Sequence, residues 1–240
     1  MLPKIDVPTY TVKLPSNGEE LTIRPFLVKE EKLLLMAAKS DDAQEIIRAT
    51  KQVINNCIIE PQINVDKLPF FDIDYLFIAL RAKSIGESID VNFICQSIIE
   101  DQKCGGKFTV AIDISKIEVE NNDKARLEIR FHDDLIFYMK YPTYAAMKMI
   151  DEKADALDTK IKIIVSCVDK IFTKGQYYTN KDITPAEVQD FVENLTQQQF
   201  EKLEEFIKEF PTFYAVGSGK CKKCGKDHNV RYKDFINFFR

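Results

Sequence analysis

FICQSIIEDQKCGGKF, residues 93–108, and GKCKKCGKDH, residues 219–228, each carry two cysteines with glycine directly after the second. Two thiolates can grip one metal ion only across a tight backbone turn, and glycine supplies the positive φ that such turns use. Cys95, Cys104, Cys221 and Cys224 together make the ligand set of a closed, tetrahedral structural zinc site. Such a site would pin the end of the chain to its middle and leave no coordination position open for catalysis. Cys221-x2-Cys224 has the usual half-site spacing. Cys95 and Cys104 have eight residues between them, so QSIIEDQK must form a bulged loop that folds the two thiols back together. Bringing the two cysteine pairs together across roughly a hundred intervening residues costs on the order of 4 kcal/mol, while a structural zinc returns roughly 10–16 kcal/mol in small peptides. Two alternatives stand beside the shared zinc: two disulfides or four free buried thiols, and a site in which His228 replaces one thiol of the first pair. The polar N-terminus MLPKIDVPTY carries no apolar run of a secretory signal, which speaks against an oxidising compartment.

Cys57, in VINNCIIE, and Cys167, in IIVSCVDK, sit among aliphatic residues at helical spacing and read as small core hydrophobes. His132, in RFHDDL, reads as a turn residue. The 240 residues are 45% hydrophobic and 30% charged, the composition of a folded chain large enough to bury a core. No apolar stretch reaches the ~18 residues of a membrane span. The net charge of −4 argues against bulk nucleic-acid binding. The basic run Lys220, Lys222, Lys223, Lys226, Arg231 and Lys233, facing Asp227 alone, would offset a four-thiolate zinc cluster that is formally −2. It also keeps a zinc-ribbon nucleic-acid binder open as the alternative function.

Outward from the cysteines, SIDVNFIC and KFTVAIDISKIEV form a β region around the first pair. ARLEIRFH and LIFYMKY, joined by Asp133-Asp134, form a hairpin. At the start, VPTYTVKLP and EELTIRPF flank the turn Ser16-Asn17-Gly18. Three helices follow: VKEEKLLLMAAKS, a second from Asp41 or Asp42 through Cys57, and FFDIDYLFIALRAKS, which is apolar over most of its surface and therefore central. Beyond the β region, TYAAMKMIDEKA and LDTKIKIIVSCVDKIF form a helical pair, and GQYYTNKD a loop. Thr184-Pro185-Ala186-Glu187 and Thr196-Gln197-Gln198-Gln199 are capping boxes opening two more helices. The fold class is α+β, mixed helices packed on antiparallel strands with a C-terminal zinc-knuckle-like element. Five segments follow: an N-terminal β arm (1–26), a helical segment (27–85), the β region with the first cysteine pair (86–140), a second helical segment (141–211), and the knuckle with an aromatic tail (212–240).

No Gly-rich phosphate loop, GxSxG or HExxH is present. The acid pairs Asp133-Asp134 and Asp72/Asp74 fall at a turn and a helix start, where acids belong without catalysis. The chain is therefore expected to be no enzyme. The tail residues Phe235, Ile236, Phe238 and Phe239 are apolar enough to demand either the chain's own core or a partner, and aromatic chain ends serve as interface anchors.

Several segments, in order, resemble the T4-type bacteriophage baseplate hub family: LTIRPFLVKEEKLLLMAAKS (Leu21 to Ser40), LRAKSIGESI (Leu80 to Ile89) followed by Cys95 and Cys104, YPTY (Tyr141 to Tyr144), and ITPAEVQDFVENLTQQQFEKLEEFIKEFP (Ile183 to Pro211) leading into CKKC and the phenylalanine-rich end. The resemblance spans nearly the full chain. It implies a non-enzymatic structural or assembly protein of a contractile tail, found in the virion baseplate or in the host cytoplasm during tail assembly. Its partners would be other tail and hub proteins, with self-association possible and nucleic acid unfavoured. It also implies a short Cys-x2-Cys turn where this chain has eight intervening residues.

Overall fold

The computed structural model describes residues 5–40, 42–120, 127–147 and 155–233. In chain order the elements begin with strands β1 (Tyr10–Lys13) and β2 (Glu20–Ile23), helices α1 (Val28–Ser40) and α2 (Ala43–Cys57), strand β3 (Ile58–Glu60) and helix α3 (Phe70–Ser84). Next come strands β4 (Ser88–Ile94), β5 (Ile98–Ile99), β6 (Gln102–Lys103), β7 (Lys107–Asp113), β8 (Glu118–Glu120), β9 (Glu128–His132) and β10 (Leu135–Met139). The chain continues through α4 (Tyr144–Met147), α5 (Ala156–Cys167), β11 (Val168–Thr173), β12 (Gln176–Thr179), α6 (Pro185–Glu193), α7 (Gln197–Lys208), β13 (Thr212–Lys220) and β14 (Asp227–Tyr232). Among the described residues all strand pairings are antiparallel, so the α+β class expected from the sequence holds. Two compact units emerge: residues 1–65, 71–120 and 212–240 form one, residues 66–70 and 121–211 the other.

In the first unit β1, β2 and β3 make one small sheet. Its opening turn is the expected one: Gly18 takes φ 74° and its amide donates to the Leu14 carbonyl at 2.8 Å. Alternation along β2 buries Leu21 and Ile23, and α1 and α2 pack on each other behind them. Asp42 caps α2, its carboxylate accepting from the Gln44 amide at 2.8 Å. From Phe71 onward α3 is buried on nearly every side, as its uniform apolarity demands. Two polar links tie these pieces together. Buried Glu30 accepts from Arg24 at 3.2 Å and from the Leu27 amide at 2.8 Å, and Arg24 also donates to the Asn56 carbonyl at 2.9 Å. Buried Asp72 accepts from the Ser16 amide at 3.0 Å and from the Ser16 hydroxyl. Cys57 is fully buried in this core, in keeping with its aliphatic surroundings in the sequence.

The second unit is a four-stranded sheet in the order β12-β11-β10-β9. Phe137, Ile164, Cys167, Val192 and Leu203 lie at the centre of its core. Both capping boxes are complete, with Thr184 and Glu187 bonding reciprocally at α6 and Thr196 and Gln199 at α7. His132 sits at the β9–β10 turn, its Nδ1 accepting from the Asp134 amide at 3.3 Å. Two expectations are corrected here. The helix beginning at LDTKIK ends at Cys167, and VDKIFT is strand β11. The first half of GQYYTNKD, from Gln176 to Thr179, is strand β12 and not a loop. Lys174 (φ 50°) and Gly175 (φ 77°) form a two-residue turn with both φ values positive, the geometry that matches the twist of a hairpin. Val168 and Ile171 are buried in the sheet. In so short an apolar run, helical and strand periodicities both fit.

Candidate metal centre

Four strands of the first unit build the centre. β4 and β7 pair from Ser88↔Asp113 to Ile94↔Lys107, and Cys95 and Cys104 lie in the connection at that end. β13 and β14 pair from Ala215↔Tyr232 to Lys220↔Asp227, with Cys221 and Cys224 in their connection. The two hairpins lie against each other through β7 and β13. Glycine makes the approach close enough: a Cβ on Gly217 would stand 2.6 Å from side-chain atoms of Ile112 and Val110, and one on Gly219 2.7 Å from Val110. The ring of Phe108 on β7 stacks on His228 of β14 at 4.7 Å.

Each connection is the same knuckle. The Cys221 carbonyl accepts from the Gly225 amide at 2.8 Å, and the Cys221 amide donates to the Lys226 carbonyl at 3.0 Å. In the other hairpin the Cys95 carbonyl accepts from the Gly105 amide at 3.1 Å, and the Cys95 amide donates to the Gly106 carbonyl at 2.8 Å. Gly105 and Gly225 take φ 62° and 71°, values that cost glycine nothing. Cys95 thus corresponds to Cys221, Cys104 to Cys224, Gly105 to Gly225 and Gly106 to Lys226. The unusual spacing has a simple origin. Residues 98–103 form a miniature hairpin, β5 paired with β6, and the Cys104 amide donates to the Ser97 carbonyl at 2.8 Å across its base. Without those residues the sequence reads Cys-Gln-Ser-Cys-Gly, the pattern of Cys-Lys-Lys-Cys-Gly at 221–225. The loop that sequence spacing requires to return the thiols to one another is this inserted hairpin.

The four sulfurs lie within 4.8 Å of one another. Cys95 Sγ and Cys224 Sγ are 3.8 Å apart, as are Cys104 Sγ and Cys221 Sγ. A tetrahedron with metal–sulfur bonds of about 2.3 Å has edges of about 3.8 Å, so the donor set fits a four-coordinate, thiophilic metal ion. A disulfide would need about 2.05 Å, and the cysteines are unbonded to one another. Cys95, Cys104 and Cys221 are buried and Cys224 is partly so. The Ser97 hydroxyl and amide hold the Cys95 thiol down to about 6, and amides of Cys224 and Lys223 lower that of Cys221. The Lys226 amide pulls Cys224 down, yet burial and the three neighbouring sulfurs together carry it up to about 11. Thiols that cannot all shed their protons beside one another are a set that a cation would settle as thiolates. His228 stands just outside, its Nε2 3.2 Å from Cys95 Sγ, placed to hydrogen-bond a sulfur. Gly106, singled out in the sequence as a turn glycine, serves close approach instead: a Cβ there would meet Cys221 Sγ and Lys223 Cβ at 2.7 Å. Its signal was the doubled glycine after Cys104.

Half of the basic run is engaged within the chain. Lys223 donates to the Cys104 carbonyl at 2.6 Å. Arg231 pairs with Glu120 at 2.5 Å and lies 3.6 Å over the Tyr214 ring, and Lys233 pairs with Glu120 at 2.8 Å. These contacts tie Lys223, Arg231 and Lys233 to the hairpins themselves. Phe235, Ile236, Phe238 and Phe239 lie outside the described residues.

What the fold and the cluster define is a mixed α+β protein whose two similar hairpins bring four thiols together. A family model described as T4 bacteriophage base plate protein matches residues 7–240, and the chain belongs to that family, as the resemblance of its segments implied. The chain is 24% identical over 231 residues, 96% of its own length and 97% of the relative's, to the baseplate hub assembly protein gp26 of Enterobacteria phage T4. No solved structure matches.

Proposed function

We propose that this chain is a non-enzymatic assembly protein of the baseplate hub in a contractile phage tail, a zinc-clamped adaptor between hub or tube proteins. The hub assignment rests on the full-length likeness to the phage T4 hub assembly protein. The clamp rests on one observation above all, the approach of four sulfurs to within 4.8 Å of one another, two of their separations being at the 3.8 Å edge length of a zinc tetrahedron. Cys95, Cys104, Cys221 and Cys224 would hold the ion, and His228 would donate to the Cys95 sulfur from outside. With all four positions filled by protein, the ion supplies cross-linking and no Lewis-acid chemistry. The knuckles then fix the β13–β14 hairpin to the β4–β7 hairpin, and Phe235, Ile236, Phe238 and Phe239 are apolar residues suited to contact neighbouring tail proteins. The place of action is the tail baseplate or its precursor in the infected cell. Expression of the chain and of a Cys221→Ser variant in infected cells, followed by recovery of tail precursors, tests both halves. The expected result is wild-type chain on the precursors with bound zinc, and a variant that has lost the metal and most of the association. Wild-type chain that never meets tail proteins would end the adaptor reading, and a variant with unchanged metal content would end the clamp.

A further inference from the structure

Two cavities of the second unit meet at Ile183, which lines both. The larger encloses about 510 Å³ between α5, the end of β10 and the start of α6, within the range of about 300–1,000 Å³ of sites that receive ligands. Val165, Val168 and Pro185 join Ile183 in making it apolar, and Lys140 and Lys162 line it as well. The smaller encloses about 280 Å³ and is walled by Ile171, Val188 and Phe191, with Lys174 in its lining. Among the described residues none of these three lysines makes an ion pair. Lys160, one of their neighbours on α5, is by contrast paired with Glu204 at 2.6 Å. The one acid in either lining, Glu187, already accepts from the amide and the hydroxyl of Thr184. Ser166 gives its proton to the Ile163 carbonyl and Gln189 gives an amide hydrogen to Glu193. Both line the larger cavity, and the oxygen of each is left as an acceptor.

We propose that the two cavities form a docking groove for an acidic, apolar segment of a partner protein. An aspartate or glutamate of that segment faces Lys140 and Lys162, and apolar side chains beside it enter the two cavities. Charge selects the occupant: a groove with three uncompensated lysines repels a basic segment and draws an acidic one. An amphiphilic carboxylate such as a fatty acid would also satisfy the lysines. Its chain, however, carries no donor for the oxygens of Ser166 and Gln189, and covering an acceptor without a partner is unfavourable. A peptide brings backbone N–H donors together with its carboxylate. Two cavities that meet at one residue also suit successive side chains of one segment better than a single compact ligand. The groove uses none of the cysteines of the metal centre. It rests on the reading of the chain as an assembly protein only in the choice of cells in which the partner is sought.

The test places a benzophenone side chain at Ala186, an exposed residue in the lining of the larger cavity, in the full-length protein. The protein is irradiated in infected cells, and the cross-linked peptide is sequenced. The mark is expected on one other protein, within an apolar segment that holds aspartate or glutamate. A synthetic peptide of that segment should bind the purified chain. Lys140→Glu and Lys162→Glu should each weaken it about tenfold or more, because like charges then face each other. Lysine in place of the peptide's acid should restore its binding to those variants. Lys32→Glu, which lies outside both linings, should leave the affinity unchanged. Melting temperatures equal to the wild type's show that the variants fold; if Lys162→Glu melts lower, Lys162→Gln serves the same comparison with a smaller loss expected. Cross-links confined to this chain or to a second copy, a marked segment without acids, or no labelling would overturn the groove. So would charge reversals that leave the peptide's affinity unchanged, or a site that takes sodium decanoate and not the peptide. Should the marked partner be no tail protein, the groove would stand and the hub assignment would fall.

Discussion

Gly106 shows how tightly the centre is set by single residues. Its position has no room for a Cβ beside Cys221 Sγ and Lys223 Cβ, so Gly106→Ala must displace one knuckle. Overpacking of this kind costs roughly 1–3 kcal/mol. We expect a lower melting temperature and weaker metal retention in competition with a chelator; an unchanged protein on both counts would mean the hairpins approach less closely than described. Asp72 is the second residue with a defined consequence. Burial raises its carboxyl to about 6 against the two Ser16 hydrogen bonds that lower it. An acid whose folded pKa lies above its unfolded value adds stability below the unfolded value of 3.8 and loses it as pH rises through the folded value. The difference is on the order of 3 kcal/mol. Asp72→Asn should therefore gain on the wild type by about that order between pH 4 and pH 7 in urea unfolding, because it carries no charge to bury. Parallel curves for the two proteins would show that Asp72 is not shielded from water. The role of Ser16 as its partner was not legible in the sequence, since nothing local links a turn residue to a helix start 56 positions away.

Elements were legible where local chemistry alone specifies them. The two capping boxes, the Ser16-Asn17-Gly18 turn and the Asp133-Asp134 hairpin all formed as their residues dictate. Thr184→Ala removes the hydroxyl that accepts from the Glu187 amide at 3.3 Å and should cost about 1 kcal/mol of unfolding free energy. A urea midpoint equal to the wild type's would show that Pro185 and Glu187 suffice to start α6. Elements were not legible where a short apolar run serves two periods: VDKIFT continues a helical pattern from Ile161 and yet pairs as β11 between β10 and β12. The neighbour strands decide it, and they are tertiary facts. KFTVAIDISKIEV likewise reads as one strand but is split by a short 3-10 turn, capped by Asp113, into β7 and β8 of different sheets. The inserted β5–β6 hairpin carried a signal in retrospect. Glu100-Asp101 lies at the centre of residues 98–103, with two isoleucines just before it.

At the scale of the molecule, the four cysteines join stretches 117 and 129 residues apart in sequence. The pattern of paired cysteines with following glycines sufficed to name the four thiols that the fold brings together, and the order of segments sufficed to name the family. The equivalence of the two knuckles was hidden by the insertion, and only backbone hydrogen bonds expose it. A cross-link over such distances is worth most to a chain whose end would otherwise be held by the β13–β14 pairing, the glycine-mediated approach to β7 and the Glu120 ion pairs. Metal removal should accordingly lower the melting temperature of the whole first unit, and the capped helices of the second unit should keep their own stability. Zinc K-edge absorption on the purified full-length chain reads the centre itself. The prediction is one zinc per chain with four sulfur neighbours at about 2.3 Å. A protein without zinc, or a zinc whose shell contains a nitrogen from His228 in place of a sulfur, would contradict it.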